Sequence, residues 1–580
     1  MTPDLIEAAV RAGHSFAGEQ LSGLDLRGCN LAGADFARAR LIQVRFDGAC
    51  LAGASFAGAE ILGFRAASAD LSGCSLEGTT AMMADLGGAR LRGANLAGAK
   101  LPKANLVGAD LEGAVVKGAL LIGAALSGVS LQGLDLGDTH FDEAKLDGAN
   151  LSGVTLDGAT FVKADLTGTS FTGARIKQVT FAHARLVRAD FTGADLHGVM
   201  FVKADLRGAS LPRKVTQTLF DGAILSNADL KDLKGSDLRG SELPGVDLSG
   251  VDLSGANLTG SSLQNASLRW ANLRGAKLER CILSKTDLTG ADLTGANLRS
   301  CVLTGAILED VDLSGHELEM VVFQKANLRG VNLSGARIER CILTEADLTG
   351  ANLTRALLKA VPMKKAIVED LILDKTMFVA VDFAGVDLRK LRLAGLTFHR
   401  CSFKEANLQG MNLAGCDFTD SDFAGADLRK ADLHGATLAR ASFKGAHLEL
   451  ADLTDVNAKG AFFGEAMLKA AKLTRARLRN ATFTEADASF ASFIGCDLRD
   501  AMLVRLGAPS ASFVGSKLSH ADLSHADLSD ADLRDADLSG ANLHAVRDRG
   551  ATWIGANLVT ARRTDLDRLE AEAWLPPTGA

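Results

Sequence analysis

Ala291-Asp292-Leu293-Thr294-Gly295, echoed by Ala256-Asn257-Leu258-Thr259-Gly260, shows the unit from which this chain is built. A large apolar residue recurs every fifth position from Phe16 through Leu21, Leu26, Leu31 and Phe36 to Leu211. Only Ala66 and Ala81 interrupt it. The phase slips through Phe220, Leu225 and Leu230, resumes at Leu233 and runs to Leu558, with Ala458, Ala488, Ala508 and Asp548 as exceptions. Neither a helix nor a flat strand has a period of five, so the chain must turn at regular intervals.

A second period sets the number of sides. Phe141, Phe161, Phe181 and Phe201 recur every 20 residues, as do Phe383, Phe403, Phe423, Phe443, Phe463 and Phe483. Four units per coil place each set on one face, where rings stack between coils. Glu279-Arg280-Cys281-Ile282-Leu283 returns as Glu339-Arg340-Cys341-Ile342-Leu343, a shift of 60 residues, or three whole coils. The small position two before the central residue exchanges volume with it: Phe64 accompanies Ala66, and Leu506 accompanies Ala508. Close-packed interiors require such exchanges. Eight of the nine cysteines, all but Cys50, occupy that small slot and read as buried apolar residues.

These units resemble the pentapeptide-repeat family over about residues 15–560. The resemblance implies an all-β solenoid, a right-handed quadrilateral β-helix with four pentapeptides per coil. The central residue and the small residue two before it point inward. About 27 coils at a strand spacing of ~4.8 Å would give a rod roughly 130 Å long. Solenoids of this kind need closed ends. Residues 1–14 are expected to form a capping helix, with Thr2 as N-cap, Pro3 at N1 and Gly13 at its end, carrying Leu5, Ile6, Ala9 and Val10. Residues 561–580 are expected to form a C-terminal helix opened by Thr564, carrying Leu566, Leu569 and Trp574 and stopped by Pro576-Pro577. In some family members such helices pair two chains. Between the segments 15–211 and 233–560, residues 212–232 hold the phase break, read as a bulged loop. If its extra residues bulge outward, the face of Phe201 continues as that of Leu243 and Leu263.

Composition narrows function more by exclusion than by indication. Sixty-three Lys and Arg against 70 Asp and Glu give a net charge of −7, which argues against a general polyanion binder. The start, Met1-Thr2-Pro3-Asp4, lacks the apolar stretch of a secretory signal, no apolar run is long enough to span a membrane, and no CxxC pair occurs. The expectation is therefore a cytoplasmic location, with no membrane contact. No GxxxxGK[ST], HExxH or GxSxG motif is present. A regular convex surface offers no deep pocket, so neither catalysis nor a cofactor is expected. His520 and His525, set among Asp522 to Asp537, are five apart and lie on adjacent sides, so they diverge and no metal site is expected there.

The outward residues are more informative. On one face of the first half, the residue after the central one reads Ser22, Ile42, Leu62, Met82, Pro102, Ile122, Asp142, Val162, Ala182 and Val202. The other three faces hold almost wholly small and charged residues there. In the second half, the residue before the central one reads Ile282, Val302, Val322, Ile342 and Pro362 on one face. The bulge reading sets both columns on the same side. Trp270 replaces a corner glycine and is expected to point outward as an anchor. Ile42, Leu62, Met82, Ile122, Val162, Val202, Trp270, Ile282, Val302, Val322 and Ile342 are thus the candidate partner-binding residues. Exposed apolar patches mark interaction sites. The competing explanation is that β-branched residues suit a strand surface, or that the loop 212–219 or a terminal helix covers them. Lys163, His183 and Lys203 stack beside the column, most simply as a solvated edge.

Two functional readings follow. One is a non-enzymatic scaffold or adaptor binding a protein, a second copy of itself included, along one outer face. Some long bacterial relatives look linked to protein-secretion machinery, which refines that reading. The other, implied by shorter relatives, is a DNA mimic that occupies the DNA site of gyrase, a type II topoisomerase, without itself binding nucleic acid. A mimic needs a sustained acidic strip, and here Arg269, Glu309, Arg329, Glu369 and Arg389 alternate on one face. Only residues 520–537 approach such a strip.

Overall fold

The computed structural model describes residues 2–212, 215–230, 233–384 and 386–573. They divide into two compact units, Met1–Cys301 and Val302–Ala580. Unit one holds helix α1 (Pro3–Arg11), then β1 (Gln20–Ser22), β2 (Arg40–Ile42) and β3 (Glu60–Leu62) in one sheet. A second sheet follows: β4 (Thr155–Asp157), β5 (Arg175–Lys177), β6 (Asp195–His197) and β7 (Val215–Thr216). Unit two holds β8 (Glu317–Glu319), β9 (Arg337–Glu339), β10 (Leu357–Lys359), β11 (Met377–Val379) and β12 (Thr397–His399), then helix α2 (Leu566–Ala573). Every pairing is parallel and, away from the phase break, joins residues 20 apart, such as Leu21 with Leu41 and Leu41 with Ile61. Each unit is therefore a parallel β-solenoid.

The hydrogen bonding explains the repeat. The central amide donates to the next coil (Phe36 N to Ser55 O, 2.7 Å), and the residue before it donates to the previous coil (Ser55 N to Ala34 O, 2.8 Å). The corner residue also donates onward (Gly33 N to Ala52 O, 2.8 Å), and the turn closes within the coil (Ala39 N to Phe36 O, 3.1 Å). One amide per unit remains, that of the residue after the central one. The side chain of the Asp, Asn or Ser before the central residue accepts it, as Asp35 Oδ1 does from Ala37 N at 3.1 Å and Asp287 Oδ1 from Thr289 N at 2.9 Å. The repeated Asp or Asn therefore completes the backbone accounting, as an Asx turn does.

Inside, the apolar sets stack as their spacing implies. Phe141, Phe161, Phe181 and Phe201 lie with ring centroids 4.9, 5.0 and 5.2 Å apart, and the Phe383 to Phe483 column at 4.7–5.1 Å. Each is fully or almost fully buried. The eight cysteines of the small slot are buried and Cys50 is half-buried; all nine are free thiols. Burial pushes Cys74, Cys341, Cys401 and Cys496 up to about 12 and Cys416 to about 11, so none is a ready nucleophile.

The phase break differs from the bulge expected of it. Leu196 pairs with Val215 and Met200 with Leu219, 19 residues on; Leu219 then pairs with Asp237 and Ile224 with Glu242, 18 residues on. Inward positions run Leu211, Val215, Phe220, Leu225, Leu230, Leu233, so the steps from 211 to 215 and from 230 to 233 are shorter than five residues. Val215 is buried at 3 % exposure. The face of Phe201 continues through Phe220, stacked at 5.1 Å, to Leu238, and not to Leu243, which follows Leu206 and Leu225. A shorter side keeps every inward residue buried, whereas an outward bulge would leave ladder groups unpaired.

The ends are unlike each other. Helix α1 buries Ile6 completely against the first coil, and Glu7 Oε1 accepts the Asn30 amide at 2.6 Å. Thr2 sits in the N-cap position but makes no side-chain capping bond. Helix α2 buries none of its own residues, leaves Leu566 exposed, and follows a last coil whose inward Trp553 and Leu558 are only half-buried. Asp565, rather than Thr564, caps it, accepting the Arg568 amide at 3.1 Å. The Thr564 hydroxyl instead accepts the Ala545 amide at 3.2 Å. Trp574 and Pro576-Pro577 lie outside the described residues.

Candidate functional site

The first column forms one continuous line in unit one. Ser22, Ile42 and Leu62 are register partners across β1, β2 and β3. Beyond them, the carbonyls of Pro102, Ile122, Val162 and Val202 each accept from the corner amide of the preceding coil, at Met83, Lys103, Glu143 and His183, at 2.7–2.9 Å. These residues occupy the same place in successive coils. Leu62 is 52 % exposed, Met82 62 % and Ile122 38 %; Ile42, Val162 and Val202 are half-buried. Two shortened coils later the line continues as Asp221 and Arg239, so it ends at the phase break.

The second column does not extend the first. Ile282 precedes Leu283, whose face traces back through Leu263, Leu243 and Leu225 to Leu206. Ile282 therefore lies on the side next to that of the first column, with Glu242 and Ser262 beneath it. In unit two, Val302, Val322 and Ile342 pair in series, and the same ladder later carries Phe462, 39 % exposed, and Met502, 51 % exposed. The sequence reading passed over those two, although the same 20-residue spacing marks them. Trp270 belongs to a third side of unit one, that of Leu248 and Leu268. Its corner has φ 57°, and its ring lies over Gly290 of the next coil, where a Cβ would collide with it. So the indole is an exposed plate held flat against a glycine.

Charge around these columns is mostly cancelled locally. Arg two residues after an Asp closes back on it, in Asp25–Arg27, Asp205–Arg207, Asp237–Arg239, Asp427–Arg429, Asp497–Arg499 and Asp532–Arg534, at 2.6–2.8 Å. The hydrogen bond from Arg holds the carboxyls of Asp205, Asp427, Asp497 and Asp532 below the usual carboxylate range. In the acidic 520–537 stretch Asp527 pairs with Arg547 and Asp532 with Arg534, whereas Asp537 is held by the neutral side chains of Ser519 and Asn557.

Among the described residues, two clefts lie where ladder bonds within a unit are missing. One, of about 650 Å³, lies between Asp110–Glu112 and Ser130–Gln132; the other, of about 540 Å³, lies between 370–375 and 390–396. Both open where Leu stands at the small slot beside a full-sized central residue, the buried Leu134 with Leu136 in one, the half-buried Leu371 with Leu373 and Leu391 with Leu393 in the other. Where the central residue is Ala508 beside Leu506, the ladder stays closed, with Ala508 N to Asp527 O at 2.8 Å. Overfilling can part neighbouring coils, although Met411 beside Leu413 leaves the ladder closed, with Leu413 N to Asp432 O at 2.7 Å. A separate group, His525, His544 and Glu572, converges at the C-terminal helix.

Parallel coils with inward Leu or Phe every fifth residue define a β-solenoid of five-residue units. "Pentapeptide repeats (8 copies)" matches residues 20–58, 69–106, 82–118, 104–142, 232–269, 241–280, 266–305, 281–319, 322–359, 463–500 and 511–547, and "Pentapeptide repeat region" matches 134–211 and 376–453. The chain belongs to the pentapeptide-repeat family. Similar solved structures include full-length QnrB1, a plasmid-mediated fluoroquinolone resistance protein, at 20 % identity, 34 % of this chain, 99 % of that one and TM-score 0.20. HetL, involved in heterocyst differentiation regulation in the cyanobacterium Nostoc sp. strain PCC 7120, shares 25 % identity over 51 % of this chain and 89 % of its own, TM-score 0.14. AT2G44920 of Arabidopsis thaliana shares 30 % identity over 21 % of this chain and 69 % of its own, TM-score 0.10. No curated protein matches. Among the described residues no helix is long and apolar enough to cross a membrane.

Proposed function

We propose that this protein is a non-enzymatic scaffold that binds protein along the outer face carrying Ile42, Leu62, Met82, Ile122, Val162 and Val202. The observation that carries the reading is the exposure of Leu62, Met82 and Ile122 at one repeated coil position. Neither the chain at 215–219 nor a terminal helix removes them from solvent. Burial of such residues supplies affinity while flanking charges such as Lys163, His183 and Lys203 set register. Trp270, Ile282, Val302, Val322 and Ile342 lie on other sides or in unit two and would serve separate contacts. Local Asp–Arg pairing weighs against a DNA mimic, which needs a sustained acidic face.

The proposed partner is a second copy of this chain. Solution mass by light scattering tests it, on wild type and on the triple variant Ile42→Asp, Leu62→Asp, Ile122→Asp. A dimer that becomes a folded monomer supports self-association through this face. A monomer in both cases, or a dimer in both, refutes it.

A further inference from the structure

The C-terminal helix is fastened to the coils by a cluster that the scaffold reading does not use. Glu572, in the last turn of α2, places Oε2 3.0 Å from His525 Nε2 and 3.2 Å from His544 Nε2. The three ligand atoms lie within 4.8 Å of one another. His525 is a corner residue with φ 62°, and its amide donates to the His544 carbonyl at 2.8 Å, so the two histidines belong to successive coils. Their rings meet edge to face, 5.4 Å between centroids and 81° between planes, and both Nε2 atoms face the carboxylate.

We propose that His525, His544 and Glu572 bind a divalent transition ion of the zinc type, and that the ion locks α2 onto the last coils. Around tetrahedral zinc with bonds of ~2.0–2.1 Å, neighbouring ligand atoms stand about 3.3 Å apart. The two N···O separations fall just inside that value, whereas the imidazole nitrogens stand up to 4.8 Å apart, so to admit the ion the carboxylate must draw back slightly and the two rings close toward each other. Two imidazole nitrogens and one carboxylate oxygen suit zinc, cobalt or nickel; magnesium and calcium call for oxygen ligands throughout. A fourth, solvent-side position is left for water, because the side chains of His525 and Glu572 are about one-third exposed while that of His544 is buried, at 33 %, 34 % and 3 %.

Neighbouring groups already hold two of the three ligands. Arg568 Nε donates to Glu572 Oε1 at 2.7 Å, which orients the carboxylate and leaves Oε2 for the ion. His544 Nδ1 accepts the Asp565 amide at 3.2 Å, so in the metal-free protein the ring proton sits on Nε2 and points at Glu572. Ligation through Nε2 requires that proton to move to Nδ1, and the Asp565 amide then loses its acceptor. Metal binding must offset that loss, which again favours an ion with high affinity for imidazole.

The experiment uses the untagged full-length protein, freed of metal by chelator and titrated with Zn2+ by calorimetry. Co2+ absorption serves as the readout of tetrahedral geometry, and hydrogen exchange follows residues 565–573. One ion per chain is expected. An ion that binds only the docked helix should slow exchange of α2 about 100-fold when free Zn2+ exceeds its Kd about 100-fold. Glu572→Gln and His544→Ala should abolish both effects, while His520→Ala, outside the cluster, should leave both intact. Glu572→Gln alters only an exposed helix residue, so its fold is secure if the His544 variant loosens the last coil. Absence of saturable Zn2+ binding, binding that survives Glu572→Gln, or equal loss in His520→Ala overturns the proposal.

Discussion

Leu134→Ala should close the cleft beside residues 110–112. Leu134 fills a small inward slot while its central partner Leu136 is full-sized and completely buried. Regular coil bonding would join the amides of Gly108, Leu111, Gly113, Val116, Ser130 and Asp135 to carbonyls of the adjacent coil. Among the described residues none of those bonds forms, although Leu91 N reaches Asp110 O at 2.7 Å on one side and Leu131 N reaches Asn150 O at 2.8 Å on the other. Overfilling a packed interior costs about 1–3 kcal/mol, and each backbone bond regained contributes about 0.5–1.5 kcal/mol net. Against this stands the lost burial of an isobutyl group, roughly 2 kcal/mol. Taken at the lower ends of both ranges, the local net gain is about 2 kcal/mol, which slows amide exchange at least about 30-fold. Hydrogen exchange read at those six amides is the assay. Wild type should exchange fast there and slowly at Leu91 and Leu131, and the variant should exchange slowly throughout. Protection of the six amides in wild type, or fast exchange that persists in the variant, would refute the overfilling argument.

Phe443→Ala removes a ring stacked 4.9 Å from both Phe423 and Phe463; it should cost about 3–5 kcal/mol in calorimetry, and a loss under about 1 kcal/mol would contradict close packing of the column. Gly290→Ala should lift the Trp270 ring off its corner and add the ~1–2 kcal/mol strain of a left-handed residue, seen as a red shift of indole emission with a lower melting temperature. Acidification should weaken the fold only at low pH. The carboxyls of Asp205, Asp427, Asp497 and Asp532 are depressed by their Arg hydrogen bonds. Their contribution is therefore full above the unfolded value of about 3.9 and is lost as pH falls through the lower folded values. Circular dichroism melts should be flat from pH 7 to about 5 and fall below about 4, and a decline already under way near pH 6 would point to other groups.

Much of this architecture is written in the chain because the repeat is local. A five-residue unit states its own inward residue, its corner and the Asp or Asn that takes the spare amide, so Ala291-Asp292-Leu293-Thr294-Gly295 announces a coil side without its neighbours. The 20-residue phenylalanine sets add the count of sides, since aromatic stacking holds only if the faces align. The volume exchange at Phe64 with Ala66 was legible for the same reason: both partners lie two residues apart.

The phase break was not legible in this way. The choice between two extra residues pushed outward and two sides made short depends on whether Val215 finds a buried place among coils distant in sequence. The register shows that it does, and the consequence reaches the candidate site by setting Ile282 on the side next to that of Ile122. The cluster at the C-terminus has the same origin. His525 and His544 lie one coil apart, but Glu572 joins them only because α2 folds back on the last coils, and no spacing in the sequence encodes that return. Local units determine the fold of the coils; packing between distant coils and the terminal helix decides which outward side chains meet, because those contacts depend on register accumulated along the coils of each unit.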